Sequence, residues 1–225
     1  MRIGFRVLER QRAVTVQSAL RFADIPVACL SDVMGRMNAG GPRLRPMHAG
    51  APLGGAALTV RTRPGDNLMI HKALTMITPG DVLVVDGGGD LTNALMGELM
   101  LSHARACGAS GVVLNGAIRD STWVQAQDFP VFAVGVTHRG PYRDGPGEIN
   151  VPIALDGMVI EPGDLVVGDA DGVVAVPFGE EDQLLVRARE KRDREALVLE
   201  GTLAGRLDAK LWVDEALRTL GCEGV

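Results

Sequence analysis

Gly97-Glu98-Leu99-Met100 and Arg119-Asp120 are the residues of this chain whose types and spacing can do chemistry together. Glu98 opens an apolar, helix-like stretch after the glycine turn at residues 86–90. Arg119-Asp120 closes the next strand-like run, residues 111–118. A strand–turn–helix–strand unit brings a helix N-terminus and the following strand end to one edge of a sheet. There, unbonded backbone N–H groups, a guanidinium and two carboxylates can converge on one small anion and one metal ion. That is the equipment for metal-assisted chemistry on a keto acid.

Each residue also has a plainer explanation. Arg119 can grip a carboxylate with its planar fork, and Asp120 can offer a hard oxygen to Mg²⁺ or Mn²⁺. The same pair would also serve as an exposed ion pair at a strand end. Glu98 suits the positive end of a helix dipole without any ligand. The N–H groups of Leu99 and Met100 are more informative, because the first helical turn leaves them without acceptors and open to a substrate carboxylate. Gly87-Gly88-Gly89 lacks the spacing of a nucleotide loop and reads as a tight turn. His48, His71, His103 and His138 are scattered, with no paired spacing for zinc. No lysine falls in these motifs, so a Schiff-base mechanism is disfavoured, and no nucleophile elbow appears.

The elements that must position these residues follow an alternating pattern. Residues 13–23 have helical periodicity, and Ser31-Asp32 resembles an N-cap for a short helix ending near Gly40-Gly41. Residues 55–63 read as a strand closed by Pro64-Gly65-Asp66, and residues 67–77 as a helix stopped at Thr78-Pro79-Gly80. Residues 81–85 read as a short strand, apolar after Asp81, of the kind buried on both faces. A helix over about 93–106, a strand at 112–114, one or two helical turns at 121–127 and a strand at 131–134 complete an α/β signature. From residue 147 to 176 the runs are short and β-like, separated by Asp156-Gly157, Pro162-Gly163-Asp164 and Asp171-Gly172, and they complete the same core as hairpins. Residues 180–199 form a long charged helix and 207–220 a second one. The charge on most faces of the long helix implies solvation or contact with another subunit, since one chain offers few obvious partners.

Composition removes whole classes of function. The 225 residues fit one domain spanning 1–225, with a core at about 30–178 and a helical extension at about 180–220. With 46% hydrophobic and 23% charged residues, the chain can bury a full core. A net charge of −5 without a basic stripe argues against nucleic-acid binding. No apolar run is long enough to span a membrane, and the arginine-bearing residues 1–12 lead into no signal-peptide core. Cys29, Cys107 and Cys222 are unclustered, as expected of idle thiols in a reducing cytoplasm.

Several tracts resemble the RraA-like family: residues 84–90, Gly97-Glu98-Leu99-Met100, Gly116-Ala117-Ile118-Arg119-Asp120, residues 135–141, 147–152 and 168–173. They run in the expected order over about residues 30–178. That family includes 4-hydroxy-4-methyl-2-oxoglutarate aldolases that also decarboxylate oxaloacetate, and the regulator of ribonuclease E activity. The resemblance implies a swivelling β/β/α-type core with C-terminal helices, assembled as a homotrimer or homohexamer. It implies that Arg119 holds the pyruvyl carboxylate and keto oxygen, and that Asp120 ligates the divalent metal, Mg²⁺ or Mn²⁺. Gly97, Glu98, Leu99 and Met100 would form the substrate cradle, with Glu98 reaching the metal through water. The aldolases commonly carry Asp where this chain has Glu98. Their third acid comes from a neighbouring subunit's C-terminal helix, for which Glu190, Asp193 and Glu195 are the candidates. The expected activity is therefore a metal-dependent aldolase acting on a small keto-acid substrate. The alternatives are a non-enzymatic ribonuclease E regulator and a related keto-acid hydratase or decarboxylase.

Overall fold

Apolar runs bounded by glycine and proline turns set the strands, and the helices between them carry their apolar stripes onto the sheet. The computed structural model describes residues 4–206 and 210–225. Residues 1–3, part of the arginine-bearing N-terminus, lie outside the described residues. So does the expected start of the last helix at Leu207. The N-terminal part contains β1 (Phe5–Val7), α1 (Val16–Leu20), α2 (Val27–Val33) and β2 (Arg45–Pro46). The central part runs β3 (Leu53–Thr62), α3 (Leu68–Leu74), β4 (Asp81–Asp86), β5 (Ala94–Met96), α4 (Glu98–Ala106), β6 (Gly111–Ile118), α5 (Ser121–Gln125) and β7 (Val131–Val136). Then come β8 (Gly147–Ile149), β9 (Ile153–Leu155), β10 (Met158–Ile160), β11 (Leu165–Asp169), β12 (Gly172–Val176), α6 (Glu181–Leu203) and α7 (Trp212–Thr219).

The main sheet is mixed. Its path is β1-β8-β3-β4-β6-β7-β2, and β3, β4, β6 and β7 are mutually parallel. The long strand β3 pairs with β4 along one side. Along the other it pairs first with β11 and then with β8, both antiparallel. Helices α3 and α4 pack one apolar cluster onto this sheet, with Ile70, Leu83, Leu101 and Ile118 at its centre. The opposite face is covered by the β9–β10 hairpin, through Leu155, Met158 and Ile160. Hairpin, sheet and helices make the β/β/α layering that the resemblance implies. A third cluster joins α1, α2 and α6 to β11 and β12.

Three expectations need correction. Ser31 and Asp32 do not cap a helix. They lie inside α2, which starts after Pro26, whose fixed φ suits a helix entry. The helix expected over 93–106 begins only at Glu98. Ala94, Leu95 and Met96 are fully buried and pair in parallel with the end of β6, which favours the strand. Finally, many of the charges of α6 do find partners within the chain. Asp182 pairs with Arg21, Lys191 with Asp32, and Arg192 with Asp24, while Arg187 donates to the Val33 carbonyl. Helix α6 packs along α2 and past the Arg21–Asp24 turn, which a one-dimensional charge pattern does not reveal.

Candidate active site

The parallel strand β6 ends at Ile118, and its last residue is held on both sides. The Thr137 N–H donates to the Ile118 carbonyl at 2.9 Å, and the Arg119 N–H donates to the Met96 carbonyl at 3.0 Å. Asp120 then turns the chain in the left-handed conformation, φ 58° and ψ 37°. For a non-glycine residue this costs on the order of 1 kcal/mol, and a short polar side chain tolerates it best. The Asp120 carbonyl accepts the first N–H groups of α5, from Trp123 at 3.0 Å and Val124 at 3.2 Å. Backbone pairing thus aims two consecutive side chains at the start of α4.

That start is built to meet them. Gly97 is extended, φ −154° and ψ −169°, so its lack of a side chain answers a spatial need, not a conformational one. A Cβ there would overlap Asp120 Oδ2 and lie 2.8 Å from Arg119 Cγ. The Glu98 N–H donates to Asp120 Oδ2 at 2.9 Å, and Arg119 Nε lies 3.7 Å from the same oxygen. The Leu99 and Met100 N–H groups have no hydrogen-bond partner among the described residues. Arg119 and Asp120 are 43% and 40% exposed, which leaves both reachable by a ligand.

Two concavities meet at Arg119. A cleft of about 580 Å³ is lined by Arg119, Asp120, Ser121, Trp123, Thr137 and His138. A smaller cavity of about 90 Å³ is lined by Asn67, His71, Gly97, Met100, Arg119 and Arg143, among others. Two buried polar atoms of this cavity, Asn67 Oδ1 and His71 Nε2, have no hydrogen-bond partner among the described residues. Burial depresses the His71 pKa, and the charges of Arg143 and His103 depress it further.

The structure brings Gly97, Glu98, Leu99, Met100, Arg119 and Asp120 together. Glu98 takes part through its backbone, and its exposed side chain makes no hydrogen bond or ion pair among the described residues. The three C-terminal acids separate. Glu195 is held by Lys191 at 2.7 Å and by the Cys29 thiol at 3.3 Å, and Asp193 by Arg192 at 2.8 Å. Glu190 is exposed, with no partner among the described residues. Asn67, His71 and Arg143 were not singled out by sequence reasoning. They arrive from α3 and from the loop after β7, and their spacing carries no signal for the contact. His138 sits in a tract that carries the family resemblance, and that was the available clue.

Among the described residues no three His, Cys, Asp or Glu side chains form a metal-ligating cluster. Asp120 Oδ1 has no partner among the described residues and lies beside an open cleft. One hard carboxylate with room for water and substrate oxygens fits Mg²⁺ or Mn²⁺, and does not fit zinc, which takes three or four protein ligands. Gly87, Gly88 and Gly89 form a tight turn. Gly88 and Gly89 have φ of 69°, and a Cβ on Gly87 would lie 3.0 Å from the Asn115 carbonyl.

This chain belongs to the RraA-like family, described as Aldolase/RraA, whose pattern matches residues 27–175. A Halalkalibacterium halodurans protein, provisionally named a 4-hydroxy-4-methyl-2-oxoglutarate aldolase, is 41% identical over 172 residues. That match covers 76% of this chain and 82% of the relative. The RNA-processing inhibitor RraA of Thermus thermophilus is 30% identical with a TM-score of 0.63, over 68% of this chain and 93% of that one. An uncharacterized Pseudomonas syringae pv. tomato protein gives a TM-score of 0.76 at 26% identity, over 86% and 95%. No helix among the described residues is long and apolar enough to cross a membrane.

Proposed function

We propose that this protein is a divalent-metal-dependent lyase. It cleaves a 4-hydroxy-2-oxoacid such as 4-hydroxy-4-methyl-2-oxoglutarate to pyruvate, and it decarboxylates oxaloacetate. The observation that supports this reading is the convergence of the Arg119 guanidinium, the Asp120 carboxylate and the unbonded Leu99 and Met100 N–H groups. The aldolase name of the 41% identical relative points the same way.

The amides of Leu99 and Met100, at the positive end of α4, receive the substrate carboxylate. Arg119 spans the carboxylate and the keto oxygen with its two-pronged fork. Asp120 would hold the Mg²⁺ or Mn²⁺, whose contribution is Lewis-acid polarisation of the keto acid. When the C3–C4 bond breaks, its electron pair moves into the C2–C3 bond of the pyruvate enolate. Arg119 then places positive charge where negative charge develops. The fragment containing C4 leaves as a carbonyl compound, its 4-hydroxyl proton passing to a water of the open cleft, or as CO₂ from oxaloacetate. Protonation at C3 releases pyruvate.

The reading includes a cytoplasmic homotrimer or homohexamer in which Glu190, the one candidate acid without an intrachain partner, reaches a neighbour's site. A second reading is a non-enzymatic regulator that binds ribonuclease E, favoured by the structural likeness to the Thermus inhibitor. Such a binder has no need of a free carboxylate oxygen beside Arg119. The experiment is a pyruvate-release screen over 4-hydroxy-2-oxoacids and oxaloacetate, with Mg²⁺, with EDTA, and with Mg²⁺ restored. Metal-dependent pyruvate release is expected. Full activity in EDTA refutes the mechanism, and no release from any acid favours the regulator.

A further inference from the structure

Asp66 is fully buried, yet it belongs to none of the chemistry described so far. It sits in the turn between β3 and α3, and its carboxylate collects four donors. Oδ1 accepts the Leu68 N–H at 2.9 Å. Oδ2 accepts the Asp144 N–H at 2.7 Å, the Gly145 N–H at 2.9 Å and Arg63 Nη2 at 3.0 Å. The backbone reinforces the same junction: Tyr142 N–H donates to the Gly65 carbonyl at 2.8 Å, and Asn67 N–H donates to the Tyr142 carbonyl at 3.0 Å. One buried carboxylate therefore fastens the entrance of α3 to a loop 78 residues further along the chain.

The fastened loop carries Arg143, which lines the 90 Å³ cavity together with Arg119. Arg143 has no hydrogen bond or ion pair among the described residues, so its guanidinium is uncommitted. The two cavity groups with unpaired buried atoms, Asn67 and His71, sit on the other side of the Asp66 junction. Asp66 thus joins the two segments that bring Arg143, Asn67 and His71 to one small volume. An arginine on a free loop must lose backbone freedom when it binds an anion. A loop already held by two charge-assisted hydrogen bonds has lost that freedom during folding.

We propose that Asp66 is a positioning residue that fixes Arg143 at the small cavity it shares with Arg119, so that two guanidinium groups face the anionic end of the keto acid. This rests on the keto-acid reading of the site. Asp66 touches no substrate and acts only through Arg143. Asp66→Asn keeps the size of the side chain and its acceptor for Leu68. It turns an amide NH₂ toward the N–H groups of Asp144 and Gly145, so the loop is released while the core packing stays.

The test uses full-length protein with Mg²⁺ and oxalate, a small dianion shaped like an enolised keto acid, titrated by calorimetry. Asp66→Asn, Arg143→Ala and the double variant are compared with wild type, alongside hydrogen exchange at residues 142–145 and oxaloacetate kinetics. Each single variant is expected to weaken oxalate binding by about tenfold, the scale of one charged hydrogen bond. The double variant should be no weaker than Arg143→Ala alone, because Asp66 has nothing left to position. Exchange at Asp144 and Gly145 should accelerate in Asp66→Asn, and KM for oxaloacetate should rise more than kcat falls. Losses that multiply in the double variant overturn the proposal, as does unchanged affinity in Arg143→Ala. That second variant lies on an exposed loop and keeps the proposal refutable if Asp66→Asn does not fold. A wild type that binds oxalate but releases no pyruvate overturns the proposed activity, and the affinities still decide on Asp66.

Discussion

Gly97→Ala is the smallest change that should disable this site while leaving the fold standing. Alanine adopts the extended backbone of Gly97 without strain, so the whole effect comes from one methyl group. That methyl would lie 2.8 Å from Arg119 Cγ and overlap Asp120 Oδ2. Reaching an optimal carbon–carbon separation of ~3.5 Å requires a shift of about 0.7 Å at Arg119, with a larger one at Asp120. Both side chains are close to half exposed, so they can swing outward into solvent instead of deforming the sheet. The hydrogen bond from Glu98 N–H to Asp120 is then lost, at a cost of about 1–2 kcal/mol, or a Tm lower by roughly 2–8 °C for a chain of this size. Catalysis should suffer more. A displacement near 1 Å at reacting groups costs about 10²-fold, or roughly 2.7 kcal/mol of barrier. The assay is kcat/KM for oxaloacetate decarboxylation with saturating Mg²⁺, beside calorimetric melting. Gly54→Ala is the control, since a Cβ there meets only the Ala19 carbonyl at an ordinary 3.6 Å. A Gly97→Ala enzyme within threefold of wild type would show that Arg119 and Asp120 need not hold these positions, and the site as described would be wrong.

Three further outcomes follow from the same structure. Arg119→Lys keeps the charge but loses the planar fork, so kcat/KM should fall at least about tenfold with melting unchanged; a wild-type rate would return Arg119 to a structural role. Glu148 is fully buried, and burial alone would raise its pKa. Hydrogen bonds from Arg61, from the Gly4 N–H and from Arg6 outweigh that and hold it below the usual range. A lowered folded-state value means the stabilisation is complete above the unfolded glutamate value near ~4.3 and is lost as pH falls through the folded value. Glu148→Gln should cost about 1–3 kcal/mol at pH 7, discounted because Arg6 and Arg61 are partly exposed, and should flatten the acid limb; equal urea midpoints at pH 7 would refute this. In mixed oligomers, Asp120→Ala subunits combined with Glu190→Gln subunits, each inactive alone, should recover activity; no recovery after verified subunit exchange places the site within one chain.

The sequence made the local geometry readable and hid the long-range contacts. Strand β4 was legible because a run buried on both faces leaves little choice of structure. Glu98 and Arg119-Asp120 were legible as neighbours because one strand–helix–strand unit brings them to the same edge. Strand β5 was not. Ala94, Leu95 and Met96 fit a helical face as well as a strand, and their partners Ala117 and Ile118 come more than twenty residues later. The inner cavity was hidden for the same reason. His71 looked like a scattered histidine and Asp66 like an ordinary turn aspartate, since neither spacing records a contact with residues 143–145.

The C-terminal helix shows how far such reading goes. Its charges suggested solvation or a partner subunit, yet most of them bind α2 and the Arg21–Asp24 turn of their own chain. What the structure adds is which of the three acids already have partners in their own chain. Glu195 closes a contact with Cys29 and Lys191, where the lysine's charge holds the carboxylate's pKa down and the thiol's donated hydrogen bond adds to it. Asp193 is taken up by Arg192. In the proposed oligomer, neither would reach a neighbour's site without abandoning a partner in its own chain. Glu190 has no partner among the described residues, so in the proposed oligomer it is the acid that would reach a neighbour's site without giving up a contact in its own fold.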